Sequence, residues 1–305
     1  MSVLKGLVAV TLAVAPLSLV NAEPHCPGNV TSLPLRLVQR SQLVVPITIN
    51  HQGPYDFLVD TGAQVTTVDP ALAAELQLKT QGTAGVTGVA VRTRAPLTQL
   101  DSVQAGPRAV ANVLAVIQNL GELQSADHRV RGVLAGNFLQ HFDLLVDYAR
   151  QVLCLDDSMQ MRARVKGQRI ALSDLPLSQP GSAVAQKLIV PVHLSGMEKR
   201  QVLLQLDSGS NTPLLYDAGD DLTHLRTPGS NLQSRGTDGK EHAFTVLAAQ
   251  DVQVGPHILR QVSFVAPIPG GTIAAKSDVD GLLPAALFQR VFVNYSDRYV
   301  VLEPW

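Results

Sequence analysis

Two short motifs hold the residues of this sequence that are best suited to chemistry. Asp60-Thr61-Gly62 follows the apolar run 57–59, and Asp207-Ser208-Gly209 follows the run 204–206, which is apolar except for Gln205. An aspartate at the end of a buried strand needs a reason, because ionised carboxylates are rarely buried without a partner. Two carboxylates at close range cannot both ionise cheaply, so such a pair shares one proton. The charged member can then activate a water as general base, while the protonated member polarises a carbonyl group.

An internal repeat must position the two motifs. Six further blocks return in the same order, with an offset that drifts only slightly. The paired blocks are 32–35 and 174–177, 43–47 and 188–192, 85–88 and 236–239, 103–107 and 252–256, 132–134 and 281–283, and 147–148 and 294–295. A single motif would be an ordinary turn, but two copies at equivalent positions of a duplication favour a paired site. If a pseudo-twofold axis relates the halves, Asp60 and Asp207 meet at that axis.

Short apolar and β-branched runs between turn residues predict a mostly β chain. Helices are predicted only at 70–78, at 137–142 and at 284–290. This pattern favours an all-β fold of two pseudo-symmetric, barrel-like lobes with short helices, and with the paired site between the lobes. We expect a signal peptide at 1–22, an N-terminal lobe at 23–155, an interlobe connection at 156–186 in which the second repeat starts near residue 172, and a C-terminal lobe at 187–305.

In both halves, these motifs resemble the aspartic peptidases of the retropepsin and pepsin type. Residues 57–63 resemble the active-site strand and turn of the retroviral enzymes, and 132–134 and 281–283 resemble the loop that supports the catalytic turn. The lobes are short for pepsin, so the chain looks like a fused, single-chain version of the retropepsin dimer, similar to bacterial periplasmic aspartic peptidases. The resemblance implies an endopeptidase that cleaves peptide or protein substrates, with Asp60 and Asp207 as catalytic residues and with no cofactor.

The residues after each aspartate are expected to support the dyad. They are Thr61, Gly62 and Ala63 in the first half and Ser208, Gly209 and Ser210 in the second. The glycines allow close backbone approach and turn angles that are closed to residues with a side chain. The hydroxyls of Thr61 and Ser208 can bond to the backbone of the opposite lobe, which would set the spacing of the carboxylates.

The two halves differ at the position after the glycine, where Ala63 corresponds to Ser210. A serine hydroxyl can donate a hydrogen bond to the outer oxygen of Asp207 and stabilise its anion, which Ala63 cannot do for Asp60. We therefore expect Asp207 to carry the charge and Asp60 the proton.

Two hairpin flaps that bind substrate are expected over the site. The first comprises Gly85, Val86, Thr87 and Gly88, and the second comprises Gly236, Thr237, Asp238 and Gly239. Neither flap contains a tyrosine, unlike pepsin, so flap contacts would come from Val86, Thr87 and the backbone. The second half departs from the family pattern at Gln205, a polar residue in an otherwise apolar strand, and at 284–285, where Pro-Ala replaces Ala-Gly.

Composition and the N-terminus indicate an exported globular protein. Hydrophobic residues make up 46% and charged residues 16% of the chain, and the net charge of -1 gives no electrostatic reason to expect nucleic acid as a partner. Lys5, the apolar run 7–20 and the small-residue site at 20–22 are typical of a signal peptide. We expect a periplasmic or secreted monomer, without stable membrane insertion after signal cleavage; an uncleaved anchor is the alternative.

Other reactive residues leave two alternatives open. Export permits a disulfide between Cys26 and Cys154, but the sequence does not show whether the two sulfurs meet. The histidines share no spacing typical of metal ligands, so no metal site is expected. A catalytically weak, retropepsin-like module that binds peptide or protein in the same cleft is the alternative to an enzyme, although two intact motifs favour catalysis.

Overall fold

The computed structural model describes residues 26–28, 30–88, 92–174, 184–197, 201–216, 225–235, 241–268 and 278–305. The predicted signal peptide and the second flap segment, 236–239, lie outside the described residues. More than half of the described residues lie in strands, which confirms the predicted all-β fold class. Throughout the described ranges, no helix has the length and apolar character needed to cross a membrane.

Eight strands form a sheet in the described residues of the first half. In pairing order they are β2 (Arg36–Val38), β3 (Gln42–Ile49), β4 (Gln52–Asp60), β9 (Val130–Ala135), β5 (Thr66–Val68), β8 (Arg108–Ile117), β7 (Arg92–Ala105) and β6 (Thr80–Thr87). Because β3 also pairs with the end of β7, the sheet curls toward a barrel. β4 and β9 run parallel and place Asp60 opposite Ala135.

The described second half contains a sheet of nine strands. In pairing order they are β16 (Arg226–Arg235), β17 (Glu241–Leu247), β20 (Val265–Pro267), β15 (Leu214–Leu215), β21 (Gly281–Pro284), β14 (Val202–Asp207), β13 (Ile189–Leu194), β18 (Gln250–Val254) and β19 (His257–Val262). The order from β13 to β16 repeats the order from β3 to β6, strand for strand. Each of the long strands β7 and β8 corresponds here to two shorter ones, and β14 lies parallel to β21 with Asp207 opposite Pro284.

A third sheet is shared by the two halves. Across the described residues its strands are, in pairing order, β1 (Ser32–Pro34), β11 (Val152–Asp156), β10 (Asp143–Asp147), β22 (Phe288–Asn294), β23 (Tyr299–Pro304) and β12 (Arg169–Ala171). β10 of the first half pairs with β22 of the second, so the sheet joins the halves directly. The main hydrophobic core also extends through both halves, and it includes the fully buried rings of Phe57, Phe138, Phe264 and Phe288.

The helices are short and have clear local causes. α1 (Pro70–Glu75) begins after Asp69, whose side chain accepts hydrogen bonds from two backbone N–H groups of the first turn. It ends earlier than predicted because Gln77 adopts a positive φ of 53°. α3 (Gly136–Leu139) falls within one residue of its predicted start but is shorter, and α2 (Glu122–Ala126) was not predicted.

The helix predicted at 284–290 is wrong. The structure has a single 3₁₀ turn at Ala285–Leu287, and β22 begins at Phe288. The segment from Gly281 to Asn294 is two residues shorter than the equivalent segment from Gly132 to Asp147. A 3₁₀ turn needs three residues whereas an α-helical turn needs 3.6, so the shorter segment accommodates the tighter turn.

Candidate active site

The two aspartates end equivalent strands, and the fold brings them together. Asp60 is the last residue of β4 and Asp207 is the last residue of β14. A Cβ atom placed on Gly62 would overlap the carboxyl group of Asp207, and one on Gly209 would lie 2.5 Å from Cγ of Asp60. Each motif therefore packs directly against the aspartate of the opposite half.

The predicted reason for Gly62 and Gly209 is only partly right. Neither glycine adopts a positive φ, so the expectation of turn angles closed to other residues is wrong. Glycine is required at both positions because the two halves approach closely there, so that a methyl group on either residue would overlap the opposite carboxyl group.

The hydroxyls of Thr61 and Ser208 cross between the halves, at the positions predicted for them. Thr61 Oγ1 donates to Leu206 O at 2.9 Å, and Ser208 Oγ donates to Val59 O at 2.8 Å. Each hydroxyl also accepts the backbone N–H of the other residue, at 3.0 and 3.1 Å. Both side chains are buried, so these four bonds hold the two catalytic strands in one register.

Each of the two carboxylates accepts hydrogen bonds from backbone N–H groups in the same way. Asp60 Oδ1 accepts the N–H groups of Gly62 at 2.7 Å and Ala63 at 2.9 Å. Asp207 Oδ1 accepts the N–H groups of Gly209 at 2.7 Å and Ser210 at 3.0 Å. On each side one oxygen is therefore held by two N–H groups.

Burial sets the electrostatics of the pair. It raises the pKa of Asp60, although the N–H groups of Ala63 and Gly62 oppose that rise. Burial, and then the negative charge of Asp60, raise the pKa of Asp207 well above its usual value. The pair therefore holds a proton to higher pH than two separate aspartates would, as a shared-proton dyad requires.

The role expected for the hydroxyl of Ser210 is wrong. The hydroxyl of Ser210 donates to Thr212 O at 2.9 Å instead of to Asp207. The Ser210 residue contributes only its backbone N–H, as Ala63 does on the other side. The expectation that Asp207 carries the charge therefore has no support from this hydroxyl and stays a prediction.

Two tyrosines at matched positions of the repeat lie in the core near the dyad. Within the described residues, the buried hydroxyls of Tyr148 and Tyr295 have no hydrogen-bond partner. Burial raises the pKa of each phenol, and the charge of the opposite half's aspartate raises it further: Asp207 for Tyr148 and Asp60 for Tyr295. Both phenols therefore stay neutral.

Two glutamines that the sequence did not assign to the site contact the motif glycines. Gln205 Nε2 donates to Gly62 O at 2.7 Å, and Gln42 Nε2 donates to Gly209 O at 2.8 Å. The signal for Gln205 was visible as a polar residue in a buried strand, and it is indeed 5% exposed. Gln42 lies at the start of β3, and its position carried no such signal.

The loop that supports the first catalytic turn is built from polar contacts. The N–H of Gly136 donates to Ala63 O at 2.9 Å. The side chain of Asn137 accepts from Thr66 N at 3.0 Å and from Thr66 Oγ1 at 2.8 Å, and it donates to Leu114 O at 2.7 Å. The segment following β9 therefore fastens the turn after Asp60, as the family resemblance implied.

The first predicted flap lies in an exposed hairpin. β6 and β7 pair Gly85 with Arg94 and Val86 with Thr93, and Gly88 directly follows β6. The second predicted flap falls between β16 and β17, which pair with each other, but its four residues lie outside the described residues.

The two cysteines form a disulfide. Cys26 is bonded to Cys154 of β11, in the shared sheet. Both residues are buried in a small apolar cluster with Val30 and Met161. The bond therefore fastens the start of the described chain to the sheet that joins the two halves.

Comparison with known proteins supports the resemblance drawn from the motifs. Residues 45–138 match a protein-family model described as "Aspartyl protease". Among solved structures, the chain is similar to a retropepsin-like aspartic protease from Rickettsia conorii, at 21% identity over 42% of this chain and 91% of that chain, with a TM-score of 0.32. No curated protein matched. The family match includes Asp60 and supports a protease-type function.

Proposed function

We propose that this protein is an aspartic endopeptidase, which hydrolyses peptide bonds of extended protein substrates with a water activated between Asp60 and Asp207. The observation that carries the proposal is the pairing of the two aspartates, each packed against the glycine of the opposite motif. A raised pKa on both carboxyls supports a shared proton at the pH where the pair would act.

The chemistry follows from the two protonation states. The charged carboxylate takes a proton from water as the water oxygen attacks the peptide carbonyl carbon. The protonated carboxyl gives its proton to the carbonyl oxygen, which produces a neutral tetrahedral diol. When the C–N bond breaks, the carboxyl that took the water proton gives it to the leaving nitrogen, and the other carboxylate takes a proton from a diol hydroxyl, so the dyad again holds one proton in its starting arrangement. No bond forms between protein and substrate in this sequence.

The flaps would hold the substrate over the dyad. The exposed hairpin of β6 and β7 supports this role for Gly85, Val86, Thr87 and Gly88, because the edge of a hairpin presents backbone groups that an extended peptide can pair with. The same role is proposed for 236–239, by its equivalence in the repeat.

The test is cleavage of a denatured protein, with and without pepstatin. The wild-type chain should cleave, pepstatin should block cleavage, and Asp60→Asn should abolish it. Asp101→Asn is the matched control, because Asp101 is exposed on β7 and outside the site. A wild-type chain that binds peptides in the same way as Asp60→Asn, and cleaves none, would favour the catalytically weak binding module instead.

We also propose that the protein is exported and works as a monomer. The disulfide supports export, because such bonds form and persist in oxidising compartments. Two catalytic aspartates in one chain support a monomer, since a second copy is not needed to complete the dyad. N-terminal sequencing of protein from the periplasm or medium should begin near Glu23, and light scattering should give the mass of one chain; an intact N-terminus or a dimer would contradict the respective proposal.

A further inference from the structure

Gln205 lies two residues before Asp207 in β14, but it contacts the other half of the site. Its buried side chain donates from Nε2 to Gly62 O at 2.7 Å. A carbonyl oxygen can only accept, so the amide must present its NH₂ group there. At the equivalent position of β4 the first half has Leu58, which has no polar atom in its side chain.

The accepting carbonyl belongs to the peptide group that also holds Asp60. Gly62 O and the N–H of Ala63 are the two ends of one peptide unit, and that N–H donates to Asp60 Oδ1 at 2.9 Å. A donor at the oxygen of a peptide polarises its N–H, and hydrogen bonds in such a chain strengthen one another. Gln205 is therefore connected to the carboxylate of Asp60 through two consecutive hydrogen bonds.

The same connection is built in the other direction by a residue at a different position. Gln42 Nε2 donates to Gly209 O at 2.8 Å, and the N–H of the same peptide unit, on Ser210, donates to Asp207 Oδ1 at 3.0 Å. In the repeat, Gln42 corresponds to Lys187 and not to Gln205. The two halves thus reach the same contact from non-equivalent positions, so the duplication alone does not account for it.

We propose that Gln205 and Gln42 are positioning residues of the dyad, each stabilising the carboxylate of the opposite half through a single peptide group. The inference rests on the proposed function, because the dyad that the glutamines support is the one that would activate water. Each bond also crosses between the halves, so it favours the anionic form of the dyad only when the halves are docked.

The test replaces each glutamine with methionine, which has similar length but no donor. The first ionisation of the dyad is followed in two ways: by the ¹³Cγ shifts of labelled aspartate, and by the acid limb of kcat/KM for peptide cleavage. Gln205→Met and Gln42→Met should each move that ionisation upward by roughly 0.3 pH unit, since the polarised N–H stabilises the anion less without its partner. The double variant should move the first ionisation by roughly twice as much. Its kcat should fall at pH values below the shifted acid limb, and its KM should not change.

Gln104→Met is the matched control. Gln104 also donates from Nε2 to a glycine carbonyl, Gly106 O at 2.8 Å, but it does so on the exposed hairpin of β7 and β8. This variant should titrate like the wild type. The proposal would be overturned if Gln205→Met and Gln42→Met fold and their dyads ionise at the same pH as in the wild type and in Gln104→Met.

The remaining outcomes are also decisive. If Gln205→Met does not fold, the half-buried Gln42 decides by the same two measurements. If the wild type cleaves no peptide, the proposed function is wrong, whereas the aspartate titration still supports or overturns the role of the glutamines.

Discussion

The two loops that support the catalytic turns differ in how they hold them. After Asp60, the turn is fastened within its own half by Gly136 and by the bonds among Asn137, Thr66 and Leu114. In the second half, the corresponding residues are Ala285, Ala286 and Pro213. Alanine and proline side chains carry no polar atom, so the side-chain bonds of Asn137 have no counterpart there.

The turn after Asp207 is held instead from across the interface. Gln42 donates to Gly209 O at 2.8 Å, and Asn211 Nδ2 donates to Gln39 Oε1 at 2.6 Å. The first turn also accepts a bond from Gln205, and its Gln64 donates to Ala185 O of the connecting segment, but the bonds of Gly136 and Asn137 support it in addition. The comparison teaches that one half of a duplicated site can lose internal support when the other half supplies it after docking.

The largest expected effect comes from Gly132 of β9 and Gly281 of β21, the two strands that pair in parallel with the catalytic strands. A Cβ on Gly281 would overlap the carbonyl oxygen of Leu214, and one on Gly132 would overlap the ring of Phe57 and lie 2.5 Å from the carbonyl oxygen of Thr67. Gly281→Ala should lower the free energy of unfolding by about 3 kcal/mol or more, and by more than Gly132→Ala, because its overlap with the backbone is deeper. Urea unfolding measures both; a smaller loss for Gly281→Ala would contradict this difference between the halves.

Removing the internal brace of the first half should have the next largest effect. Asn137→Ala deletes three hydrogen bonds, of which the two from Thr66 are buried and the one to Leu114 O is part-buried. A loss of about 2–3 kcal/mol in the free energy of unfolding is expected. Asn211→Ala is the control, because its bond to Gln39 is exposed and should contribute less than about 1 kcal/mol. Equal losses in the two variants would show that Asn137 does not support the turn after Asp60.

The dyad should also make the stability of the protein depend on pH. A carboxyl whose pKa is raised by folding stabilises the protein below its usual pKa, and that stability is lost as pH rises through the raised value. At neutral pH, Asp207→Asn and Asp60→Asn should therefore both unfold at higher temperature than the wild type. Both gains should shrink near about pH 4, because the pKa of each carboxyl is raised by burial. Melting curves at both pH values measure this, and a gain that grows on acidification would contradict it.

The smallest effect is expected at Ser210. Since its hydroxyl donates to Thr212 O, Ser210→Ala should leave the acid limb of the pH-rate profile in place. The unfolding free energy should change by less than about 0.5 kcal/mol, as for most surface substitutions. An upward shift of the acid limb would show that the hydroxyl does reach Asp207, and would restore the asymmetry first expected from the sequence.

The repeat made the pairing of the two aspartates predictable, whereas side-chain directions were not. Asp60 and Asp207 could be paired because the blocks around them recur in the same order. A hydroxyl can donate to a nearby carboxylate, which predicts a bond from Ser210 to Asp207, but the backbone carbonyl of Thr212 takes that bond in the turn. The repeat predicts a helix at 284–290 by equivalence with 137–142, but the shorter segment leaves room only for a 3₁₀ turn.

The sequence by itself determined the two carboxylates, their glycines and hydroxyls, and the β-rich duplication that carries them, because these depend on residue types at regular spacing. Only the tertiary structure decided how the halves support each other. The bonds of Gln42 and Gln205 join residues more than 140 positions apart, at places that the repeat does not relate. Such contacts depend on how two surfaces dock, and no local pattern in the chain encodes that geometry.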